Sequence, residues 1–167
     1  TAKEADAPIR IVEAVLNVNS DRKKEMAGRV IDACGGSVSD KTIAILGLTF
    51  KPNTDDMRES PSLDIVPALQ GEGASVRAFD PEGMEEAKKL MNGVFWCKDT
   101  YEAVDGSDVV VIVTEWNEFR NLDFARMKKI MKTPILVDLR NIYEPKQVAA
   151  TGFSYRCVGR PISKIAI

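Results

Sequence analysis

Apolar side chains in the first part of the chain recur at the spacing of an amphipathic helix. They lie at Ile9, Val12, Leu16, Met26, Val30 and Ile31. With Pro8 suited to a first helical turn, this pattern predicts one long helix over residues 8–33. Gly35 and Gly36 follow it, and glycine supplies the left-handed conformation that helix carboxyl ends favour. Residues 17–25 are polar and basic, so we expect only the two ends of the helix to be firmly packed.

Beyond Asp40 the pattern changes to strands that alternate with helices. The predicted strands cover residues 42–48, 75–79, 94–97, 108–114, 135–139 and 154–158. The predicted helices lie between them, at residues 62–70, 84–91, 100–104, 124–131 and 145–150. Pro67 lies inside the first of these helices and predicts a late helix start or a kink.

Several of the predicted strands are continuously apolar, most clearly the VVVIV run at residues 109–113. Strands have this composition when helices cover both faces of their sheet. The alternation therefore predicts an α/β fold, a doubly wound, Rossmann-like parallel sheet of about six strands preceded by the long amino-terminal helix. We place a boundary near Gly36, so that residues 1–36 hold the helix and residues 37–167 form the domain.

The composition agrees with a single globular domain. The 167 residues are 44% hydrophobic and 29% charged with a net charge of −2, which argues against a disordered chain and against a basic surface for nucleic acid. No apolar run approaches the roughly 20 residues needed to cross a bilayer, and no signal peptide is evident. We therefore expect a cytoplasmic protein with neither nucleic acid nor a membrane as partner.

The three cysteines, Cys34, Cys97 and Cys157, are widely spaced and odd in number. This spacing indicates neither a disulfide framework nor a zinc site, and it favours buried free thiols. The chain contains no histidine, which excludes histidine-based acid–base catalysis and most zinc sites within it. We expect no metal site.

The loop after the first predicted strand is the main candidate for chemistry, because open parallel sheets bind ligands beyond the carboxyl ends of their strands. Residues 47–61 read GLTFKPNTDDMRESP, a long segment rich in opposed charges. A dinucleotide-binding domain would have a short G-x-G-x-x-G turn here, and only Gly47 of that fingerprint is present. The pattern argues against a complete dinucleotide site within the chain and leaves half of one open.

Two cations and an aromatic residue stand out in this loop. Lys51 and Arg58 could contact the phosphates of a nucleotide, Lys51 as a point charge and Arg58 with its bidentate fork. Alternatively, both pair with the acidic residues of the same loop, Asp55, Asp56 and Glu59. Phe50 could stack on a base or sugar, and a place in the core is the favoured alternative.

The segment GLTFKPNTDDMRESPSLDI at residues 47–65 closely resembles the signature of the UDP-glucose dehydrogenase family. The resemblance continues through FDP at residues 79–81, VVVIVTEWNEF at 109–119 and DLRN at 138–141, and so spans essentially the whole domain. It implies a member of the UDP- and GDP-sugar dehydrogenase superfamily. The TEW element favours UDP-glucose as the substrate, with GDP-mannose or a UDP-N-acetylhexosamine as alternatives.

The resemblance also implies how the chain fits a larger enzyme. Such enzymes join two Rossmann-type domains by a long central helix that forms the dimer contact. The amino-terminal domain binds the cofactor NAD, and the carboxy-terminal domain binds the UDP part of the nucleotide sugar. Residues 1–36 then match the end of the connecting helix, which implies a homodimer, and residues 37–167 match the UDP-sugar-binding domain.

The family oxidises the C6 alcohol of the sugar to a carboxylate in two hydride transfers to NAD, through a thiohemiacetal and a thioester on a cysteine. That cysteine lies in a G-G-x-C-x-x-K-D motif, which this sequence lacks. Cys97 has no preceding glycines, and Cys34 precedes its glycines. We therefore expect no catalytic residue in this chain and no turnover by it alone. A non-catalytic nucleotide-binding module remains the alternative.

Four residues match functional positions of the family. Phe50 and Lys51 match residues that line the UDP-sugar site, and Arg140 matches an arginine that contacts the substrate. Arg58 matches an arginine that reaches the NAD bound by the other domain. The alternative for Arg140 is an ion pair with one of two nearby acids, Asp138 or Glu144.

Three further positions carry weaker signals. Leu139 stands where family members often have glycine, which could narrow the approach of a ligand to the backbone. Asp80 ends the second predicted strand, where an acid can bind ribose, but Pro81 follows it and favours a turn-capping role. Trp116 is expected to be structural.

Overall fold

Six strands and six α-helices make up the computed structural model, which describes residues 10–160. The strands are β1 (Thr42–Leu46), β2 (Ser75–Phe79), β3 (Val94–Trp96), β4 (Val109–Ile112), β5 (Ile135–Asp138) and β6 (Ser154–Cys157). The helices are α1 (Arg10–Ala33), α2 (Ser62–Gly71), α3 (Met84–Leu90), α4 (Thr100–Val104), α5 (Phe124–Ile130) and α6 (Pro145–Ala150), with a 3-10 turn at Asn117–Asn121.

The strands form one sheet in the order β3-β2-β1-β4-β5-β6, and every neighbouring pair is parallel. This arrangement confirms the predicted α/β, doubly wound, Rossmann-like sheet of six strands. The strand order reverses between β1 and β4, which opens a crevice at the carboxyl edge of the sheet between the loops that follow them.

Alternating side chains of the central strands enter two separate cores. Ile43 and Ile45 of β1 face the layer that holds buried residues of α1, α2 and α3. Ala44 and Leu46 face the layer that holds α4, α5 and α6. Because both faces of β1 and β4 are covered, β4 is apolar throughout and β1 is apolar from Ile43 onward, as the sequence pattern indicated.

Most predicted strands extend one or two residues too far. The strand predicted over residues 42–48 ends at Leu46, because Gly47 adopts a left-handed φ of +86° that turns the chain away from the sheet. The apolar residues beyond each strand end still enter the core, with Leu48 and Val113 as examples. Burial and strand pairing therefore end at different residues.

Helix α1 is packed at one end only. Met26, Ala27 and Val30 are buried, whereas Ile11 is 75% exposed and Leu16 is 62% exposed. The prediction that both ends pack was therefore wrong for the amino-terminal end, because no other described element covers it. The predicted first residue, Pro8, lies outside the described residues. Of the helices within residues 10–160, none is long and apolar enough to cross a membrane.

Pro67 does not delay the start of α2. The helix begins at Ser62 and runs past Pro67 to Gly71, so the predicted late start was wrong. Pro67 removes the hydrogen bond that its nitrogen would donate to the Leu63 carbonyl. The helix tolerates this loss because Pro67 lies on its exposed side, where water can hydrate the carbonyl.

Gly47 has no room for a side chain. A Cβ atom built on it would lie 2.6 Å from Thr114 Cβ and 2.7 Å from the Thr114 backbone nitrogen. Its positive φ adds a second constraint, since residues with a Cβ rarely adopt that conformation. Gly47 therefore allows the loop after β1 to lie directly against the loop after β4.

We expect Gly47→Ala to lower the free energy of unfolding by about 3 kcal/mol, from backbone strain together with steric overlap. Gly106→Ala is the matched control, since Gly106 has a φ of +69° but a Cβ added to it would meet no atom within 4 Å. Gly106→Ala should lower the free energy of unfolding only by the backbone strain, about 1 kcal/mol. Urea unfolding followed by tryptophan fluorescence measures both, and equal losses would contradict the steric explanation.

Candidate functional site

The carboxylate of Asp80 lies at the end of β2 and is 1% exposed. Its Oδ2 accepts hydrogen bonds from the backbone nitrogens of Leu48 at 2.6 Å and Thr49 at 3.2 Å, and from Trp116 Nε1 at 3.1 Å. These donors come from the loops after β1 and β4. One buried carboxylate thus holds the start of three loops at the carboxyl edge of the sheet.

The other oxygen of Asp80 closes its own turn. Oδ1 accepts from the backbone nitrogens of Glu82 at 3.0 Å and Gly83 at 2.7 Å. This geometry confirms the predicted turn-capping role, and the buried indole of Trp116 confirms its structural role. Gly83 also leaves space for the loop after β1, since a Cβ there would lie 2.3 Å from Thr49 Cγ2.

Serine and threonine hydroxyls fix the two ends of the loop at residues 47–61. The Leu48 carbonyl accepts hydrogen bonds from Ser60 Oγ at 2.5 Å and Ser62 Oγ at 2.6 Å. The Thr49 carbonyl accepts from Thr114 Oγ1 at 2.6 Å. Because all of these groups are buried, the base of the loop is rigidly held and its tip alone is free to meet a ligand.

Phe50 and Lys51 occupy the tip. The Phe50 nitrogen donates to the Asp56 carbonyl at 2.9 Å, which closes a turn over the residues between them. Phe50 is 47% exposed, so the favoured interpretation of a core residue was wrong. Lys51 is exposed and forms no ion pair within residues 10–160. Its predicted pairing with the loop acids is therefore absent from the part of the chain that the structure describes.

Arg58 does pair with an acid of its own loop. Its Nε donates to Asp56 Oδ1 at 2.9 Å, and a terminal nitrogen donates to Asp56 Oδ2 at 2.8 Å. The hydrogen bonds from the Arg58 side chain and backbone lower the pKa of Asp56 to about 2. The Arg58 side chain is 89% exposed, and water screens such a pair strongly, so a ligand phosphate could replace Asp56 at little cost.

Glu59, the next residue, points to the long helix. It adopts a left-handed φ of +58°, and its Oε2 lies 3.0 Å from Lys23 Nζ of α1. The same amine lies 3.4 Å from Asp64 Oδ2 of α2. Partial burial would lower the pKa of Lys23, but the hydrogen bond to Glu59 and the charge of Asp64 raise it overall. Lys23 thus connects α1 to the loop and to α2.

Arg140 lies at the end of β5, where the sequence placed it. Its backbone nitrogen donates to Asp138 Oδ1 at 3.0 Å, and its side-chain Nε donates to the carboxylate of Glu115. The predicted alternatives for its ion pair, Asp138 and Glu144, were wrong. Glu115 follows β4, and 25 residues separate the partners along the chain, so the pair could not be predicted from residue spacing.

The Arg140–Glu115 pair is partly sheltered, with side-chain exposures of 31% and 29%. Burial alone would raise the pKa of Glu115, but the hydrogen bond from Arg140 and the charges of Arg140 and Arg120 keep the pKa below its ordinary value. Glu115 therefore stays ionised at neutral pH and orients the guanidinium. The terminal nitrogens of Arg140 form no hydrogen bond with the described residues, which leaves them available to an anion.

A cleft of about 150 Å³ lies beside Arg140, between α1, α2 and the ends of β4 and β5. Its apolar lining includes Met26, Ile65, Val113, Leu139 and Val158, and Arg22, Lys23 and Arg140 are its basic residues. Arg22 and Lys23 could not be singled out from the sequence, since a basic run such as residues 22–24 is typical of a solvated stretch of helix. Leu139, which stands where members of the resembled family often have glycine, also lines the cleft.

The predicted site residues fall into two groups. Phe50 and Lys51 follow β1, and Arg140 follows β5, two strands away in the sheet, so their strand ends are about 10 Å apart. Arg58 faces a different cavity, of about 690 Å³, beside α3. The structure thus separates Arg58 from Arg140, as two different ligands or two parts of one long ligand would require.

The Asp80 carboxylate should be indispensable to this edge. We expect Asp80→Asn to lower the free energy of unfolding by about 3 kcal/mol, because its amide would direct a donor at buried N–H groups. Asp99→Asn is the control, since Asp99 caps α4 by accepting from the Glu102 nitrogen at 2.8 Å, and asparagine caps helices equally well. Its loss should stay below about 0.5 kcal/mol. Similar losses in the two variants, measured by urea unfolding, would contradict this role.

Comparison with known proteins shows which protein family this chain matches. Residues 44–145 match the UDP-glucose/GDP-mannose dehydrogenase family, UDP binding domain. The chain is 56% identical over 161 residues to a UDP-glucose 6-dehydrogenase of Rhizobium meliloti (strain 1021) and 37% identical over 161 residues to the UDP-glucose 6-dehydrogenase TuaD of Bacillus subtilis (strain 168). These matches cover 96% of this chain but only 37% and 35% of those proteins.

Solved structures of dehydrogenases also match most of this chain over a part of their own length. A UDP-D-ManNAc dehydrogenase from Pyrococcus horikoshii superposes with a TM-score of 0.77 at 28% identity, over 95% of this chain and 36% of that one. A UDP-glucose dehydrogenase from Pyrobaculum islandicum superposes with a TM-score of 0.67 at 30% identity, over 82% of this chain and 30% of that one. The chain thus corresponds to about a third of each.

Proposed function

This chain belongs to the UDP-glucose/GDP-mannose dehydrogenase family, and we propose that it binds the UDP part of the nucleotide sugar for an NAD-dependent UDP-glucose 6-dehydrogenase. One observation carries the proposal: the UDP-binding family match covers the sheet edge at which Arg140, oriented by Glu115, has unoccupied donors. Residues 37–167 would form the UDP-sugar-binding domain, and residues 1–36 the end of the connecting helix.

Each site residue has a proposed task. Arg140 would donate its terminal nitrogens to the ligand, with its fork already oriented before binding, which lowers the entropic cost. Lys51 would supply a mobile positive charge to the diphosphate, and the exposed ring of Phe50 would cover the base or sugar. Arg58, which is itself exposed, would exchange its partner Asp56 for a phosphate of NAD held by another part of the protein.

No catalytic residue is assigned to this chain. Nucleophilic cysteines require a lowered thiol pKa, whereas burial raises the pKa of Cys34, Cys97 and Cys157. The chain spans about 37% of the relative from Rhizobium meliloti. We therefore attribute the oxidation of the sugar alcohol, and NAD binding apart from the contact of Arg58, to the part of the protein that this match leaves uncovered.

We expect the chain to bind UDP weakly, with a Kd on the order of 0.1–1 mM by calorimetric titration. Arg140→Gln and Lys51→Gln should each weaken binding by about tenfold, because a charge-assisted contact to phosphate is lost. Lys129→Gln is the matched control, since Lys129 is an exposed lysine in the last turn of α5, which leads into the amino end of β5 at the opposite edge of the sheet. GDP should bind less tightly than UDP.

A folded sample that gives no heat with UDP or UDP-glucose would refute the binding proposal. Stronger binding of GDP would favour a GDP-sugar as substrate instead. With UDP-glucose and NAD together, the chain alone should form no NADH, and turnover would contradict the absence of a catalytic residue.

We also propose that the amino-terminal half of α1 contacts a second copy of the chain. Ile11, Val15 and Val18 form an exposed apolar stripe, 75%, 54% and 66% exposed, beside a shallow groove. Such a stripe is costly to leave in water, and the central helix of related enzymes suggests a homodimer as the partner that covers it.

Sedimentation equilibrium should therefore show a dimer for the chain, and Val15→Glu should shift it to monomer by placing a charge in the apolar contact. Leu90→Glu is the matched control, since Leu90 is a 56% exposed apolar residue on α3. It should leave the dimer intact. A chain that remains monomeric at high concentration would overturn this proposal.

A further inference from the structure

Three arginines converge on a cavity of about 130 Å³ next to the edge strand β6. Arg29 comes from α1, Arg156 from β6, and Arg160 from the segment after β6. Val137 of β5 and Leu139, just after that strand, provide apolar walls. The cavity has room for several water molecules, which need roughly 10–15 Å³ each, and hence for a small anion.

Two of these arginines, Arg29 and Arg156, lack acceptors that buried guanidinium donors normally have. The third, Arg160, is exposed and donates to the Tyr143 carbonyl at 3.2 Å. None of the ion pairs within residues 10–160 includes Arg29, Arg156 or Arg160. The Nε atoms of Arg29 and Arg156 are buried and have no hydrogen-bond partner there. Buried guanidinium donors without an acceptor are costly and uncommon, so the geometry favours an external acceptor.

The lining carries a net positive charge. Asp32 is its single carboxylate against three arginines, and Asp32 is itself in no ion pair with the described residues. The positive charge of the arginines also acts on the thiol of Cys157. Burial raises the pKa of this thiol, and the hydrogen bond to Tyr155 and the charges of Arg160 and Arg29 oppose that rise. This concentration of positive charge is unexpected on a chain with a net charge of −2.

We propose that Arg29, Arg156 and Arg160 form a binding site for a phosphate group, either inorganic phosphate or the terminal phosphate of a nucleotide. Guanidinium forks match the oxygen spacing of phosphate and can donate in pairs. The apolar walls formed by Val137 and Leu139 strengthen these contacts by lowering the local dielectric constant. The site goes beyond the proposed function and uses none of Phe50, Lys51 and Arg140.

Occupancy would link helix α1 to the edge strand β6. Arg29 lies in the packed end of α1, and Arg156 lies in the last strand of the sheet. An anion held by both would stabilise the position of α1 on the sheet edge, because a ligand that binds only the folded state adds its binding free energy to stability.

The direct test is a titration of the ¹⁵N-labelled chain with inorganic phosphate at constant ionic strength, balanced with chloride. The Nε–Hε resonances of Arg29 and Arg156 should shift with saturation, at a Kd on the order of 1 mM or tighter. Arg29→Gln and Arg156→Gln should each weaken binding about tenfold. Arg126→Gln is the matched control, since Arg126 of α5 lies over the ring of Tyr101. This variant should bind phosphate as tightly as the unchanged chain.

Uridine monophosphate as a second titrant distinguishes the two sources. If uridine monophosphate binds more tightly than phosphate, with the same dependence on Arg29 and Arg156, the ligand of the site is a nucleotide. If the two bind equally, the ligand is the free anion. If Arg29→Gln fails to fold, Arg156→Lys replaces it, because it keeps the charge and loses the fork. Shifts that stay linear in phosphate concentration overturn the proposal.

The result is independent of the UDP proposal. Arg140→Gln should weaken UDP binding about tenfold and leave the phosphate shifts of Arg29 and Arg156 in place. Loss of both effects in Arg140→Gln would show that phosphate binds near Arg140 instead, and would overturn this inference while supporting the proposed function.

Discussion

A single buried carboxylate organises the functional edge of this domain. Asp80 accepts hydrogen bonds from the loops after β1, β2 and β4, and these loops flank the point where the strand order reverses. Where the chain leaves the sheet and enters a buried turn, its backbone N–H groups need new hydrogen-bond acceptors. The charged carboxylate of Asp80 is that acceptor. The position of Phe50 and Lys51 above the sheet therefore depends on a residue that need not contact a ligand itself.

The two arginine–carboxylate pairs of this edge differ in their physical consequences. Arg140 and Glu115 are each less than a third exposed, so the pair holds its geometry before a ligand arrives. In the pair of Arg58 and Asp56, the carboxylate is similarly sheltered but the Arg58 side chain is 89% exposed, so water competes for the guanidinium. The first pair suits a rigid contact to a ligand that stays bound through a reaction, and the second suits a contact that forms and breaks as another part of the protein approaches.

The sequence was sufficient for the fold because its information there is local. Apolar runs and the turns between them specify the strands, and the loop signature identifies the family. The sequence was insufficient where two interacting residues lie far apart along the chain. Lys23 meets Glu59 across 36 residues, and Arg140 meets Glu115 across 25, so neither pair follows from spacing. Phe50 was misassigned to the core because hydrophobicity alone does not separate a loop tip from an interior position.

The one-sided packing of α1 gives the helix the mechanics of a lever. Its last third is fixed by Met26, Ala27 and Val30, and the 16 residues before them extend about 24 Å from that anchor. A tilt of about 10° at the packed end would move the far end by about 4 Å, by the same helix dimensions. Small changes at Lys23 or in the cleft beside Arg140 would thus be amplified along α1, and any body attached to its far end would swing through a larger arc.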